Sequence, residues 1–369
     1  MRSIKWWLSL YIKDVRQEGK VKHLMKDIIA IVFFACISNA NEWTEIHCFA
    51  ETNEHILREY LELPNGIPSH DTIQRVMGIV PSESLQQLQQ KWNELMGGNT
   101  GRKLRKILAI DGKVQRGNKS ETQKANHIVS AVDDNGICFG QELVDDKTNE
   151  ITAIPVLLEN LNVKNNIITT DAMGCHHNVI DRILKGGADY VLALKGNQGL
   201  LHSEVVKYFD NPELLSSCAY EKVVEKAHSS IETREYWQTD KIAGLSLNKE
   251  WAGLKSIAMT RNTIIKNGVT TTEVRYFISS LPLNVKEIAR AIRSHWMVES
   301  YHWQLDVTFR EDANRTLDKN AAYNLNIIKK MAINTLKLLD ISVKKMSMKL
   351  KRYKISMNFG FFFDMILEI

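Results

Sequence analysis

The chain lacks any long apolar run. The longest, Ile28 to Ile37, covers ten of 369 residues, about half of the roughly 20 needed to cross a bilayer. No basic, apolar, small-residue cleavage pattern opens the sequence, so the protein is expected to be neither secreted nor membrane-bound. Its five cysteines, Cys36, Cys48, Cys138, Cys175 and Cys218, are an odd number with no Cys-x-x-Cys pair. That argues against a disulfide framework or a zinc ribbon and points to a reducing cytoplasm. There is no Gly-x-Ser-x-Gly elbow to support Ser/His/Asp hydrolysis. A Gly-x-x-x-x-Gly-Lys-Ser/Thr phosphate loop is also missing, which argues against an ATPase. No repeat or low-complexity tract is visible. With 44% hydrophobic and 25% charged residues, the composition rules out wholesale disorder and allows two or three ordinary domains.

The net charge of +5 says little by itself, but its distribution says more. Arg315 to Lys354 holds eleven Lys/Arg against Asp318 and Asp340, a local +9. Arg102 to Lys119 holds seven against Asp111. Such stripes suit phosphate backbones, although a solvated helical face would look the same.

Three textures succeed one another along the chain. Before the glycine-rich segment Met96–Gly101 the patterns are helical: Asp27–Ala40, Glu54–Leu61, Thr72–Val80 capped by Ser69 or Asp71, and a helix begun at Ser82 with Leu85, Leu88, Trp92 and Leu95 on one face. Pro64, Gly66 and Pro68 interrupt them. A helical N-terminal domain over residues 1–96 is therefore expected. Residues 102–369 would form the second domain. There, Lys106–Ile110 reads as a strand ending at Asp111, and His127–Val132 with Ile137–Val144 as a hairpin about Asn135-Gly136. Ile151–Leu161 reads as a helix, Asn166–Thr170 as a strand ending at Asp171, His177–Lys185 as a helix and Asp189–Leu194 as a strand. This order predicts an α/β fold, a mixed sheet covered by helices. Residues 210–281 read as a β-rich insertion with strands at Glu232–Trp237, Lys255–Arg261 and Thr271–Ser280. From Val285 the chain is expected to be helical almost to its end, with one helix running from Val285 to Asp312.

Asp111 and Asp171 end separate strands. If those strands are neighbours, both carboxylates project from the edge where such sheets bind ligands. A third acid would complete a site for hard divalent cations. Glu299 offers one, on a helix face with His295, Trp296, His302, Trp303 and Asp306. Strand-end aspartates are also common turn formers and caps, so spacing alone leaves both readings open. His295, Glu299 and His302 could instead hold zinc, but the His-x-x-x-Glu-x-x-His spacing is not that of His-Glu-x-x-His peptidases. Trp296 and Trp303 are expected to lie in the core rather than to serve as stacking platforms for DNA bases.

Several blocks resemble a known family. They are Ile110-Asp111-Gly112-Lys113, Thr170-Asp171-Ala172-Met173-Gly174-Cys175, Ala188 to Gln198 (ADYVLALKGNQ), and His295-Trp296 through Glu299 to Val307. These look like the signature blocks of DDE-type insertion-sequence transposases, in particular the H-repeat-associated group. Gly19 to His23, Ala40 to Trp43 and Leu63 to Thr72 look like that group's associated N-terminal domain. The resemblance implies a ribonuclease H-like catalytic domain whose metal ligands and catalytic residues are Asp111, Asp171 and Glu299. It also implies two Mg²⁺ ions, with Mn²⁺ as a substitute, and a β-rich insertion between Asp171 and Glu299. The implied partner is double-stranded DNA, both element terminal inverted repeats and target, acted on by a homodimer. Two departures stand out. Ser230 occupies the arginine position of the His-Gly-Arg that usually precedes Glu232-x-Arg234. Ile292, His295 and Asp306 fall where the family shows Tyr, Arg and Lys.

The chemistry this implies is hydrolysis at element ends followed by transfer of the 3′-OH into target DNA. A metal-dependent nuclease without strand transfer, or a DNA-binding relic that no longer cuts, are the alternatives. Lys113, Lys195, Arg293 and Arg234 are the candidate phosphate contacts near the site. Gln74 and Arg75 on Thr72–Val80 are the candidate base readers, unless that helix only packs. Lys344, Lys345, Lys349 and Lys351 are candidates for sequence-independent backbone grip.

Overall fold

The computed structural model describes residues 11–97, 104–145, 147–227, 229–246, 250–339 and 346–367. It is a mixed α/β structure in which a nine-stranded sheet is flanked by helices. The strands are β1 (Ile107–Val114), β2 (His127–Asp133), β3 (Cys138–Leu143), β4 (Ile167–Thr170), β5 (Asp189–Leu194), β6 (Ala219–Ala227), β7 (Ser230–Thr239), β8 (Ser256–Lys266) and β9 (Val269–Ser279). Their spatial order is β3-β2-β1-β4-β5-β9-β8-β7-β6. Only β1, β4 and β5 run parallel; the other pairings are antiparallel. The β-rich segment thus extends the central sheet, joining it where β9 pairs with β5. It contains one strand more than the three its pattern suggests, β6, whose lone Val-Val pair amid charged residues gives no clear alternation.

Alternation along β1 sorts its residues onto two faces. Leu108 and Ile110 pack with α6 (Glu150–Glu159) and α7 (His177–Lys185). Ala109 joins the core containing Val298 and Tyr301 of α10 (Val285–Trp303). Between α7 and α10 lie α8 (Gly199–Asp210) and α9 (Pro212–Ser216).

The N-terminal helices are α1 (Met25–Ile37), α2 (Trp43–Thr52), α3 (Glu54–Tyr60), α4 (His70–Ile79) and α5 (Ser82–Gly97); of these α1, α4 and α5 pack against a helix from the far end of the chain, α11 (Lys319–Leu338). Two further helices, α12 (Met348–Met357) and α13 (Phe359–Leu367), complete this body. Trp43 Nε1 donates to Thr316 Oγ1 at 2.7 Å, Trp92 Nε1 to Thr335 Oγ1 at 2.8 Å, and Asn324 Nδ2 to the carbonyls of Met77 and Val80. The helical body is therefore built from both ends of the sequence around one core.

Burial in that body corrects the reading of the +9 stretch as a basic stripe. Lys329, Lys330 and Arg352 are each at most 1% exposed. Lys330 Nζ donates to Ser130 Oγ on β2, and Arg352 donates to the carbonyls of Cys36 and Ala40. Counting charge could not separate these from solvated lysines.

The helix expected to run unbroken as far as Asp312 also ends early. α10 stops at Trp303, a π-turn follows over Gln304–Thr308, and Arg310 adopts φ +49° before a short 3-10 turn at Glu311–Ala313. The bend wraps three acids around Lys113 Nζ: Asp306 at 2.7 Å, Glu311 at 3.1 Å and Asp312 at 3.0 Å. Among the described residues no helix is long and apolar enough to cross a membrane.

Candidate active site

The last register pair between parallel β1 and β4 is Ile110 with Thr170. Asp111 and Asp171 are the next residues on each side, so the two acids stand side by side where the parallel pairing ends, although β1 itself continues past the expected end at Asp111 to Val114, paired with β2. Asp171 Oδ1 accepts the backbone N–H groups of Met173 (3.0 Å) and Gly174 (3.3 Å), which orients the carboxylate. Glu299 comes from α10, packed across this face. All three carboxylates line one cleft of about 820 Å³ between the central strands, α10 and the inner face of β7–β9.

Like charges are held together here. Burial raises the Asp171 carboxyl above the usual carboxylate range; its backbone hydrogen bonds oppose this, and the charges of Asp111 and Glu150 add to it. Glu299 is raised by burial first and by Asp111 second. The two imidazoles face different partners: His295 Nδ1 meets Thr169 Oγ1 at 3.0 Å, while His302 Nδ1 lies 3.5 Å from Asp111 Oδ2. Burial lowers His295 below its ordinary value. Among the described residues, no three His, Cys, Asp or Glu side chains already form a closed ligand cluster.

The basic candidates separate into several environments. Lys195 and Arg293 are exposed and line the cleft. Arg234 also lines it, but its guanidinium is engaged by Glu225 and Glu232. Lys113 sits outside the cleft lining among Asp306, Glu311 and Asp312. Burial works against its charge, yet the three acids outweigh that and push its pKa up. Arg261 and Arg275 line the cleft and were missed from sequence. The signal was available only after registering β8 on β9, which pairs Thr260 with Arg275 and Arg261 with Val274.

Trp296 and Trp303 are not core residues; they are 39% and 60% exposed. Arg275 stacks 5.2 Å from the Trp296 ring centroid. The packing duty on α10 falls to Val298, Tyr301 and, beyond it, Leu305, which are fully buried. Helical spacing alone placed the wrong stripe inward, because two tryptophans sharing one face read as core.

Elsewhere, α4 is capped by Ser69 Oγ and buries Ile73, Val76 and Met77, while Gln74 is half-buried and Arg75 is exposed. Lys349 is exposed. Lys351 Nζ donates to the Leu336 and Leu339 carbonyls, closing the end of α11. Lys344 and Lys345 lie outside the described residues, as does His228. Ser230 opens β7 opposite Ala227 and Lys266.

The chain has clear relatives among known proteins. A family model described as "Transposase DDE domain" matches residues 102–335, and one described as "DDE_Tnp_1-associated" matches residues 10–93. The chain belongs to the DDE transposase family. It is 39% identical over 364 residues to "Putative transposase YncI" of Escherichia coli O157:H7, covering 94% of this chain and 90% of that one. It is 38% identical to "H repeat-associated putative transposase YhhI" of Escherichia coli K12, over 88% of each chain. A third relative, "Inactive transposase YbfQ" of the same strain, is 45% identical but spans only 17% of this chain.

The donor set of this DDE transposase fits a hard divalent cation. It offers carboxylate oxygens only, and Asp111 raises the cost of ionising both partners, a repulsion that a bound dication would relieve.

Proposed function

We propose that this transposase cuts DNA at the ends of an insertion sequence and joins the freed 3′-OH to target DNA, on a ribonuclease H-like catalytic domain. The observation that carries the reading is the meeting of Asp111, Asp171 and Glu299 in one cleft rimmed by Lys195, Arg293, Arg261 and Arg275. Asp111 and Asp171, on adjoining parallel strands, are the ligands for two Mg²⁺ ions, or Mn²⁺ in their place, and Glu299 completes the set from α10. When bound, such ions activate a water or 3′-OH nucleophile and stabilise the leaving oxygen. The chain's own part is to bring the carboxylates together and fix their orientation. The Met173 and Gly174 N–H groups do this for Asp171, and His302 faces Asp111.

Lys195 and Arg293 neutralise the scissile strand's phosphates, and double-stranded DNA enters along the β7–β9 face. Arg75 and Gln74 on α4 read base edges at the terminal repeats, and Lys349 adds backbone charge. Two copies act together, one at each element end.

The test is a Mg²⁺-dependent assay on labelled duplexes carrying the terminal repeats that flank the coding sequence. Joined products are expected. Nicks without joining would leave a nuclease, and shifted but intact DNA would leave a binding relic. Asp111→Asn, Asp171→Asn and Glu299→Gln should each abolish cleavage while DNA binding stays within a few-fold. A near-normal cutting rate in Asp171→Asn would overturn the site.

A further inference from the structure

Glu150 is the first residue of α6, and it reaches β1 from the face opposite Glu299. Gly112 continues the row of Leu108 and Ile110 on that face. A Cβ at position 112 would overlap the Glu150 carboxylate and stand 2.6 Å from His127 Nε2. Only glycine, one residue past Asp111, lets a carboxylate lie directly against the strand. His127, at the start of β2, holds it there with Nε2 2.8 Å from Glu150 Oε1.

An acid in the first turn of a helix is favoured by the helix dipole. That accounts for an acid at position 150 but not for its course. The side chain is folded inward to 13% exposure, onto a glycine beside another acid, rather than outward into water. The Asn149 side chain already caps the helix through the Ile151 N–H, so capping does not require Glu150 to turn in. Its field reaches Asp171, where it adds to the repulsion from Asp111.

We propose that Glu150 is a fourth carboxylate of the divalent-cation site, positioned by His127 and admitted by Gly112. This rests on the reading of Asp111 and Asp171 as metal ligands. Three carboxylates leave two divalent cations with excess positive charge; a fourth on the opposite face offsets it, either directly or through a bound water. His127 is a positioning residue in this arrangement. It engages one carboxylate oxygen, Oε1.

Binding of Mn²⁺ alone to the full-length protein, followed by the paramagnetic resonance signal of free Mn²⁺ at neutral pH, tests this without relying on turnover. Glu150→Gln should weaken binding by roughly 10-fold or more, as losses of supporting groups at metal sites do. Gly112→Ala, which displaces the carboxylate, should weaken it comparably, and Glu150→Asp, which keeps the charge, should fall between. His127→Asn should weaken it less than Glu150→Gln. Metal-free melting curves identify any variant that fails to fold, in which case the remaining substitutions carry the comparison. If Glu150→Gln and Gly112→Ala bind Mn²⁺ as the parent does while Asp171→Asn does not, Glu150 merely starts a helix and the proposal is wrong. If Asp111→Asn and Asp171→Asn also bind normally, the fault lies in the reading of the triad itself.

Discussion

Lys113 and Lys337 show how strongly position decides what a lysine does. Lys113 is the only cation touching buried Glu311 in an ion pair among the described residues, and it also holds Asp306 and Asp312. Replacing it with methionine should leave Glu311 charged without that partner and destabilise the protein by about 3–5 kcal/mol in urea unfolding. A loss below about 1 kcal/mol would mean that Lys329 and Lys330 suffice to compensate. Lys337 shows the reverse balance. Its Nζ donates to the Gly136 carbonyl at 2.7 Å, and burial pushes its pKa down to about 8. Between that value and the unfolded lysine's, the unfolded chain binds the extra proton, so stability rises with pH. The contribution is fully present above the unfolded pKa and is lost as pH falls through about 8. It amounts to roughly 1–3 kcal/mol. Lys337→Met should remove this dependence, so the stability difference between parent and variant should change between about pH 7 and about pH 10. Parallel pH profiles would show that the group is not depressed.

At the scale of elements, the hairpin of β8 and β9 is set by Asn267 and Gly268, with φ +51° and +77°. Positive φ at both turn residues matches the right-handed twist of the flanking strands. A Cβ on Gly268 would meet no neighbour, so Gly268→Val carries backbone strain and no clash. We expect about 1 kcal/mol of local loss, seen as faster amide exchange at the hairpin tip with little change in global melting. A large drop in melting temperature would show that the tip is coupled to the core. This turn was legible in the sequence because Asn-Gly is a local signal. The end of α10 was not. Arg310 carries no glycine-like signature, and its left-handed backbone sits at the bend between buried Leu305 and Phe309 and the Glu311 that pairs with distant Lys113. Arg352 lies 3.9 Å from the Phe309 ring centroid and donates to the Thr308 carbonyl, bracing the same bend from α12.

Across the whole molecule, the N-terminal helices depend on α11 to α13. Arg352, fully buried, ties α12 to the Cys36 and Ala40 carbonyls at the end of α1. Arg352→Met should leave those acceptors unpaired and cost about 3 kcal/mol or more. A fragment of residues 1–96 should keep some helicity but lack cooperative unfolding, because Trp43, Met77 and Trp92 lean on residues beyond position 310. Circular dichroism during urea titration would decide this, and a sharp two-state transition in the fragment would show a self-sufficient domain.

Local order was readable because it is local. The strand end at Asp171, the turn at Asn135-Gly136, the Ser69 cap and the first strands of the sheet each follow from side-chain periodicity and backbone preference within a few residues, whereas β1 runs past Asp111 to Val114 because β2 pairs with it that far. The candidate acids could be named from position and resemblance, but which side chains share the cleft required the parallel pairing of β1 with β4 and the approach of α10. The burial of Lys329, Lys330 and Arg352, the exposure of Trp296 and Trp303, and the seating of Glu150 against Gly112 were decided by the tertiary structure. Each depends on contacts with residues far away in sequence, whose number and direction set the cost of desolvating a charge and the gain from burying a ring.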